Sequence, residues 1–266
     1  MVDVAIAQFA AGPEKADNLA LIARFAAEAA AGGARMLVAP EFAMFTIPTM
    51  DERFVDSAES LDGEFVTGLR EIAARHAMTV AAGVNEAIPG ERRIFNTLVA
   101  VGPDGGIAAT YRKLHLYDAF GFRESDVVQA GPIGSPETFT VDGITVGMQT
   151  CYDLRFPEVT RRIVDAGADV LVLPAAWMSG PLKEDHWTTL VRARAIENTM
   201  YAAAADQSGP VGSGASLIVD PMGVVIASLG ERVGTAIGTV SPERIAEVRA
   251  TNPALSLRRF GVVAKQ

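Results

Sequence analysis

The sequence predicts an α/β protein in which two mixed β-sheets are covered on their outer faces by helices. Short apolar runs alternate with segments of helical periodicity along all 266 residues. Several hairpins with Gly, Pro and Asp turns interrupt this alternation, which excludes a purely parallel, doubly wound sheet. No linker or low-complexity stretch divides the chain, so we expect a single domain over residues 1–266.

The first half begins with VDVAIAQF, an apolar and partly β-branched run that predicts a strand buried on both faces. The stretch DNLALIARFAAEAAAGG predicts a helix that Asp17 or Asn18 caps and that the two glycines end. RMLVAPEF then predicts a second buried strand that ends at Pro40 and Glu41. A helix in GEFVTGLREIAARHA, a strand in TVAAGV and two strands in IFNTLVAVGPDGGIAATYR complete this half.

The second half repeats the alternation. TFTVDGITVGMQTCYD predicts a hairpin that turns at Asp142-Gly143, and PEVTRRIVDAGA a helix with Pro157 in its first turn. Further predicted elements are a strand in DVLVLPAAW, a helix in EDHWTTLVRARAIENT, a strand in MYAAAADQSG, a hairpin in GASLIVDPMGVVIASLG and a helix in SPERIAEVRA. Residues 33–42 resemble residues 167–176. Two explanations are possible: a pseudo-twofold relation between the two halves of the chain, or chance similarity of two buried strands.

Composition excludes several classes of protein. The chain is 49% hydrophobic and 21% charged, which is typical of a globular protein, and its net charge of −9 disfavours nucleic-acid binding. A single cysteine excludes an internal disulfide and a multi-cysteine zinc site, and fits a reducing compartment. The N-terminus has no basic region typical of a signal peptide, and no long uncharged apolar run predicts a membrane span. We therefore expect a cytoplasmic protein.

Three chemically useful side chains follow predicted strands, where α/β proteins gather active groups. They are Glu41 after RMLVAP, Lys113 after AATYR and Cys151 after ITVGMQT. A thiol needs a base, which Glu41 would supply, and Lys113 would stabilise the oxyanion of a tetrahedral intermediate. The N–H of Tyr152 would be a second oxyanion donor, and Glu124 in GFRESD a second carboxylate.

Each of these residues also has an interpretation without a function. A lone cysteine at the end of a strand is often a small buried apolar residue. Glu41 could cap a helix or form an ion pair, and Lys113 and Glu124 could be solvated surface charges. The individual residues leave this choice open.

The sequence motifs around these residues, taken together, favour a catalytic role. APEF around Glu41, YRKLHLYD around Lys113 and TCYDLRFPE around Cys151 resemble, in order and spacing, the three signatures of the nitrilase superfamily of carbon–nitrogen hydrolases. LVLPAAW, HWTTLVRARAIEN, SLIVDPMG and NPALSLRR extend the resemblance over essentially the whole chain.

The resemblance implies an αββα sandwich and a Glu–Lys–Cys triad formed by Glu41, Lys113 and Cys151, with Glu124 as the additional glutamate. It also implies a homodimer or higher homo-oligomer, a small-molecule amide substrate, and no metal or organic cofactor. Cys151 would attack an amide carbonyl and release ammonia, and water activated by Glu41 would hydrolyse the resulting thioester.

The sequence around the cysteine looks most like the omega-amidase and deaminated-glutathione amidase branch, which acts on small amides that bear a carboxylate. Arg155 suits a carboxylate because its guanidinium binds both oxygens; pairing with Asp153, Glu158 or another subunit is equally compatible with the sequence. Trp177 is a candidate for the wall of the pocket, and core packing explains it equally well; Tyr117 and Phe120 are candidates for shaping the entrance. The loop YDAFGFRES and the segment SGPLKEDHW depart from the pattern of that branch, at places where substrates are selected.

Other functions remain open at this stage. An N-carbamoyl amino-acid hydrolase, an aliphatic amidase or a nitrilase would use the same triad on a different bond. A non-catalytic scaffolding relative would be expected to have lost one of the four residues Glu41, Lys113, Glu124 and Cys151, and all four are present.

Overall fold

The computed structural model describes residues 1–210 and 212–265, and within them two six-stranded sheets pack face to face. The strands are β1 (Val2–Gln8), β2 (Met36–Val38), β3 (Thr79–Ala87), β4 (Ile94–Val101), β5 (Ile107–Arg112), β6 (Thr138–Val141), β7 (Ile144–Met148), β8 (Val170–Ala175), β9 (Tyr201–Asp206), β10 (Leu217–Val219), β11 (Val225–Ser228) and β12 (Gly234–Val240). The α-helices are α1 (Lys15–Ala31), α2 (Arg53–Asp56), α3 (Glu64–His76), α4 (Pro157–Asp165), α5 (Lys183–Asn198) and α6 (Pro242–Thr251).

The two sheets share one topology. Their strand orders are β12-β1-β2-β3-β4-β5 and β11-β10-β9-β8-β7-β6. In each sheet three consecutive parallel strands, β1-β2-β3 or β7-β8-β9, are flanked by antiparallel strands. The similar segments 33–42 and 167–176 contain β2 and β8, which occupy the same central position in the two halves. The prediction of two mixed sheets is confirmed.

Burial explains why the central strands are apolar on both faces. Along β1, Val4 and Ile6 pack between the sheets, whereas Ala5 and Ala7 belong to the core beneath the helices. Helices α1 and α3 cover the first sheet, and α4 and α5 cover the second. The four layers form the expected αββα sandwich.

Two local predictions were wrong, and one strand was not predicted. Helix α1 begins at Lys15, so Asp17 and Asn18 lie inside it, and the Asn18 side chain instead binds both backbone groups of Gly12. Strand β2 ends at Val38, before Pro40, because proline has no N–H for the ladder. Strand β12 was not predicted, since two glycines and an alanine lie among the β-branched residues of GTAIGTV, yet it pairs antiparallel with β1 along seven residues.

The topology brings several strand ends to one edge. Strands β2 and β5 run in the same direction in the first sheet, and β7 and β8 are parallel in the second. The segments that follow these four strands therefore meet across the interface between the sheets. In the described part of the chain no helix is long and apolar enough to cross a membrane.

Candidate active site

A buried lysine between two carboxylates forms the centre of the site. Lys113 directly follows β5, and its Nζ lies 2.9 Å from Oε1 of Glu41 and 2.8 Å from Oε2 of Glu124. All three side chains are at most 2% exposed. Burial alone would lower the pKa of Lys113, but the charges of Glu124 and Glu41 raise this pKa well above its usual range. The ammonium therefore stays charged.

Glu41 connects the two sheets. Its Oε1 accepts a hydrogen bond of 2.7 Å from Asn96 on β4, in addition to that from Lys113. Its Oε2 accepts one of 2.7 Å from the N–H of Ala176, which follows β8 in the other sheet. The Gln207 amide donates to the Glu41 carbonyl over 2.8 Å. These bonds fix both carboxylate oxygens and the backbone of this residue.

Glu124 begins a short 3₁₀ helix, Glu124–Asp126, and accepts hydrogen bonds from Lys113 through both carboxylate oxygens. Its carboxylate also accepts hydrogen bonds from the N–H of Tyr117, over 2.6 Å, and from Asn96. Burial raises the pKa of Glu124. The positive charge of Lys113 opposes this rise, and the negative charge of Glu41 adds to it. Glu124 thereby ties the predicted pocket loop to the buried cluster.

Cys151 begins the 3₁₀ helix Cys151–Arg155 after β7, with a backbone φ of +45°. A non-glycine residue in this left-handed region is strained and is held by its surroundings. The Asp153 carboxylate accepts a hydrogen bond of 3.2 Å from the N–H of Thr150, and the N–H of Asp153 donates one of 3.0 Å to the Thr150 carbonyl. The hydroxyl of Tyr111 and the N–H of His115 donate to Asp153 over 2.7 and 3.0 Å, which anchors the turn to the segment around Lys113.

The thiol of Cys151 is buried, at 7% exposure. Burial raises the pKa of Cys151 well above its usual range. The negative charge of Glu41 and a hydrogen bond to Glu41 raise this pKa further, whereas the positive charge of Lys113 lowers it. The resting side chain is therefore a neutral thiol next to a carboxylate rather than a preformed thiolate.

A small cavity opens beside the thiol, and four other residues predicted for the site line it. Its lining comprises Tyr117, Cys151, Tyr152, Arg155, Ala176, Trp177, Met178 and Lys183. Phe120, a candidate for the entrance, lies in an adjoining outer recess, where it is 71% exposed. Tyr117, Met178 and Lys183 line both spaces, so the recess leads from solvent towards Cys151.

Arg155 forms no ion pair with any described residue. Its guanidinium lies 4.7 Å from the ring centre of Trp177, and Nη2 is 3.4 Å from Nδ1 of His186. Its buried Nε has no hydrogen-bond partner within the described ranges. Asp153, one of the alternative partners, is occupied by Tyr111 and His115. The wall of the cavity therefore presents a cation with free donors.

Two residues of this site were not predicted from the sequence. Asn96, which bridges Glu41 and Glu124, could have been found as a polar residue within the apolar strand IFNTLVAV. Lys183 lies in SGPLKEDHW, the segment whose spacing departs from the expected branch, but the sequence gives no sign that its side chain is buried.

Comparison with known proteins identifies the class of this site. The carbon–nitrogen hydrolase family model matches residues 3–250, and the chain belongs to this family. The chain is 43% identical over 258 residues to deaminated glutathione amidase of Escherichia coli O157:H7, covering 97% of both chains. It is 32% identical over 275 residues to human omega-amidase NIT2, covering 98% of this chain and 96% of that protein.

Among solved structures, a nitrilase-superfamily amidase from Nesterenkonia sp. AN1 matches with a TM-score of 0.80 and 25% identity. The match covers 97% of this chain and 94% of that one. In that structure the acetamide moiety of fluoroacetamide is covalently attached to the active-site cysteine. The present protein is thus an enzyme with the nitrilase fold that hydrolyses carbon–nitrogen amide bonds.

Proposed function

We propose that the enzyme hydrolyses a small amide that bears a carboxylate, with Cys151 as nucleophile, a thioester intermediate and release of ammonia. The observation that carries this proposal is the Lys113 ammonium, clamped by Glu41 and Glu124 beside the one cysteine of the chain. A neutral thiol, a carboxylate and a fixed cation are the groups that acyl transfer from an amide requires.

In the proposed first step Glu41 accepts the thiol proton as Sγ of Cys151 attacks the amide carbonyl. The raised pKa of Cys151 makes this base necessary, because little thiolate is present at neutral pH. Negative charge then develops on the carbonyl oxygen, which Nζ of Lys113 and the N–H of Tyr152 stabilise. A preorganised donor of this kind contributes about 3 kcal/mol to the lowering of the barrier.

In the second step the carbon–nitrogen bond breaks, and Glu41 returns the proton to the departing nitrogen, so that ammonia leaves. Glu41 then deprotonates a water that attacks the thioester and releases the carboxylic acid, and the proton passes from Glu41 back to the Cys151 thiolate. Glu124 acts through Lys113, whose position it fixes by two hydrogen bonds. No step requires a metal or an organic cofactor.

Arg155 supports the assignment of a carboxylate on the substrate. Its donors face the cavity beside Cys151 without an acidic partner among the described residues, and a guanidinium binds a carboxylate through two parallel hydrogen bonds. Trp177 and Tyr117 complete this wall, and Phe120 borders the entrance. The amidase names of the E. coli and human relatives agree with this substrate class.

The test compares wild type with Cys151→Ala on α-ketoglutaramate, deaminated glutathione, an N-carbamoyl amino acid, a plain aliphatic amide and a nitrile. The readout is release of ammonia or of the amine product. We expect turnover of the first two substrates and its loss in the variant. Turnover of the carbamoyl compound, the aliphatic amide or the nitrile alone would replace the proposed substrate class. Silence of a folded wild type on the whole panel would contradict the proposal.

Three further properties belong to this proposal. We infer a single domain over residues 1–266, a homodimer or higher homo-oligomer, and a cytoplasmic location. The match of the family model to residues 3–250 supports the first, and the single cysteine is compatible with the last. Light scattering coupled to size-exclusion chromatography tests the oligomeric state; a monomer at micromolar concentration would contradict it.

A further inference from the structure

Asp206 is a fully buried carboxylate that the proposed reaction does not use. It is the last residue of β9, at 0% exposure, and it forms no ion pair with any described residue. Burial raises the pKa of Asp206 well above its usual range, and the negative charge of Glu41 adds to this rise. Burial of a carboxylate without a cation destabilises a fold, so an acid at this position indicates a role that outweighs this cost.

Hydrogen bonds to Asp206 join the ends of two strands. Its Oδ1 accepts one of 2.7 Å from the N–H of Trp177, two residues past β8, and one of 2.9 Å from the N–H of Gln207, directly after β9. Its Oδ2 accepts one of 2.8 Å from the hydroxyl of Ser213. The N–H of Ser213 in turn donates to the Trp177 carbonyl over 2.7 Å. Asp206 therefore holds the two strand ends together at the point where the ladder between β8 and β9 stops.

The same two strand ends carry the donors that hold Glu41 from the second sheet. The N–H of Ala176, the residue directly before Trp177, donates to Oε2 of Glu41 over 2.7 Å. The side chain of Gln207, the residue directly after Asp206, donates to the Glu41 carbonyl over 2.8 Å. Asp206 therefore fixes both of the segments on which these donors lie.

The Glu41 carboxylate depends on both sheets for its position. Its Oε1 accepts hydrogen bonds from Lys113 and Asn96, on the first sheet, and its Oε2 accepts from Ala176, on the second. Movement of the strand ends of the second sheet would therefore move the carboxylate relative to the thiol of Cys151. A general base acts only within hydrogen-bond reach, and a displacement of about 1 Å lowers a rate by about 10²-fold.

We infer that Asp206 is a positioning residue for the proposed base: by holding the ends of β8 and β9 together, it keeps Glu41 within reach of the Cys151 thiol. This inference rests on the proposed function, in which Glu41 accepts the thiol proton. The geometry requires the acceptor oxygens of Asp206 rather than its charge, because both strand ends offer N–H donors. An asparagine would present Oδ1 to the same two N–H groups and its amide group to the hydroxyl, which also accepts.

The test compares Asp206→Ala with Asp206→Asn in the wild-type and the Glu41→Gln backgrounds. The substrate is α-ketoglutaramate, or whichever amide of the panel above wild type hydrolyses, with Cys151→Ala as the blank. In the wild-type background we expect Asp206→Ala to lower kcat by about 10- to 100-fold, with a smaller change in KM, and Asp206→Asn to retain kcat within about threefold. In the Glu41→Gln background, where no base is left to position, Asp206→Ala should lower kcat by less than about threefold.

Alkylation of Cys151 by iodoacetamide gives a second readout that needs no substrate. The charge of Glu41 raises the pKa of this thiol, so displacement of Glu41 should make the thiol reactive at lower pH. The half-maximum of the alkylation rate should therefore shift to lower pH in Asp206→Ala, in the same direction as in Glu41→Gln. It should stay in place in Asp206→Asn.

Asp220→Ala is the matched control. Asp220 directly follows β10, is 7% exposed, and its carboxylate likewise accepts hydrogen bonds from two backbone N–H groups, those of Met222 and Val224, over 2.8 and 2.9 Å. We expect thermal unfolding at a lower temperature from both alanine variants, because each leaves backbone donors without their acceptor. The fall in kcat and the shifted alkylation profile are expected in Asp206→Ala alone.

Equal loss of kcat from Asp206→Ala in both backgrounds, or an unchanged alkylation profile, would overturn the inference and leave Asp206 a structural residue of the sheet. Loss of kcat in a folded Asp206→Asn would overturn it too, since the charge would then be required. If Asp206→Ala does not fold, Asp206→Ser takes its place in the same comparison. Hydrolysis that depends on Cys151 and Glu41 but not on Asp206 defeats this inference alone, whereas absence of Cys151-dependent turnover defeats the proposed function.

Discussion

The interior of the site and its outer wall differ in how their cations are paired. In the interior, Lys113 lies between Glu41 and Glu124, and Asn96 donates to both carboxylates. On the wall, Arg155 and Lys183 face one cavity without an acidic partner among the described residues.

Under the proposed function, this difference separates the groups that act on the scissile bond from those that bind the substrate. Groups that act on the scissile bond need fixed positions, which mutual ion pairing and burial supply before substrate binds. Groups that bind a substrate anion need free donors, which they keep only if no protein acid neutralises them. Unpaired cations destabilise the free enzyme somewhat and favour its complex with an anion.

The largest contrast is expected between Lys113→Met and Lys183→Met, two substitutions of buried lysines by a side chain of similar length. Lys113→Met leaves two buried carboxylates facing each other, so we expect a loss of about 3–5 kcal/mol in unfolding free energy and at least about 10³-fold in kcat. Lys183→Met removes an unpaired charge, so its stability should match or exceed that of wild type. Urea unfolding at pH 7 measures both. Similar destabilisation of the two variants would contradict the comparison.

Lys113 and Lys183 contribute to the free energy of unfolding with opposite signs, and both contributions decrease as the pH rises. The raised pKa of Lys113 means that its stabilisation is complete below the ordinary lysine pKa of about 10.4 and declines as pH rises through the raised value. The lowered pKa of Lys183 means that its unfavourable contribution is present at neutral pH and is relieved as pH rises towards about 10.4. The advantage of Lys183→Met over wild type should therefore shrink between pH 7 and 10, while the deficit of Lys113→Met persists.

The next largest effect is expected from substitution of Glu41, the proposed general base. Glu41→Gln should lower kcat by about 10²- to 10⁴-fold, the usual contribution of a general base. The same substitution removes a negative charge that raises the pKa of Cys151, so the pKa of this thiol should fall. The rate of iodoacetamide alkylation should then reach its half-maximum at a lower pH in the variant than in wild type, while hydrolysis is lost. An unchanged alkylation profile would show that Glu41 does not interact with the thiol.

A smaller effect is expected from Gly83→Ala on β3. A Cβ at this position would lie 2.6 Å from the backbone N of Phe42 and 2.7 Å from Cα of Glu41, too close for either to remain in place. Displacement of Glu41 should lower kcat by about 10²-fold, and the clash should cost about 1–3 kcal/mol of stability. Gly12→Ala is the matched control, because a Cβ there meets nothing within 4 Å. Normal kcat in Gly83→Ala would show that Glu41 tolerates such a shift.

Gly83 also illustrates which parts of the fold the sequence predicts. Periodicity and turn residues correctly predicted the two mixed sheets, both central strands and helices α3 to α6. Periodicity records burial of a residue but not the distance to a neighbouring backbone, so the steric role of Gly83 was not predictable. Strand β12 escaped prediction because its pairing with β1 joins distant parts of the chain, while glycines interrupt its β-branched residues.

The site shows the same division. Motif resemblance predicted Glu41, Lys113, Glu124 and Cys151, and the structure brings the first three into contact around Nζ of Lys113. Lys183 was not predictable, because a lysine at the start of a helix is usually solvated, and only the packing of aromatic rings around it buries the charge.

The smallest effect is expected at the turn of Cys151, which hydrogen bonds rather than ion pairs hold in place. Tyr111→Phe removes the 2.7 Å hydrogen bond from the hydroxyl to Asp153, the residue that caps the turn of Cys151. Asp153 keeps its hydrogen bonds from Thr150 and His115, so we expect a loss of about 1 kcal/mol in stability and a decrease of only a few-fold in kcat.

Tyr201→Phe is the matched control for this change, because Tyr201 is also a buried tyrosine on a strand. The kcat should fall in Tyr111→Phe and not in Tyr201→Phe. If kcat falls equally in both, the effect reflects general loosening of the sheets. If Tyr111→Phe instead abolishes activity, the hydrogen bonds of Asp153 are as important to the thiol as the ion pairs are to Lys113, and the fixed interior extends to the turn of Cys151.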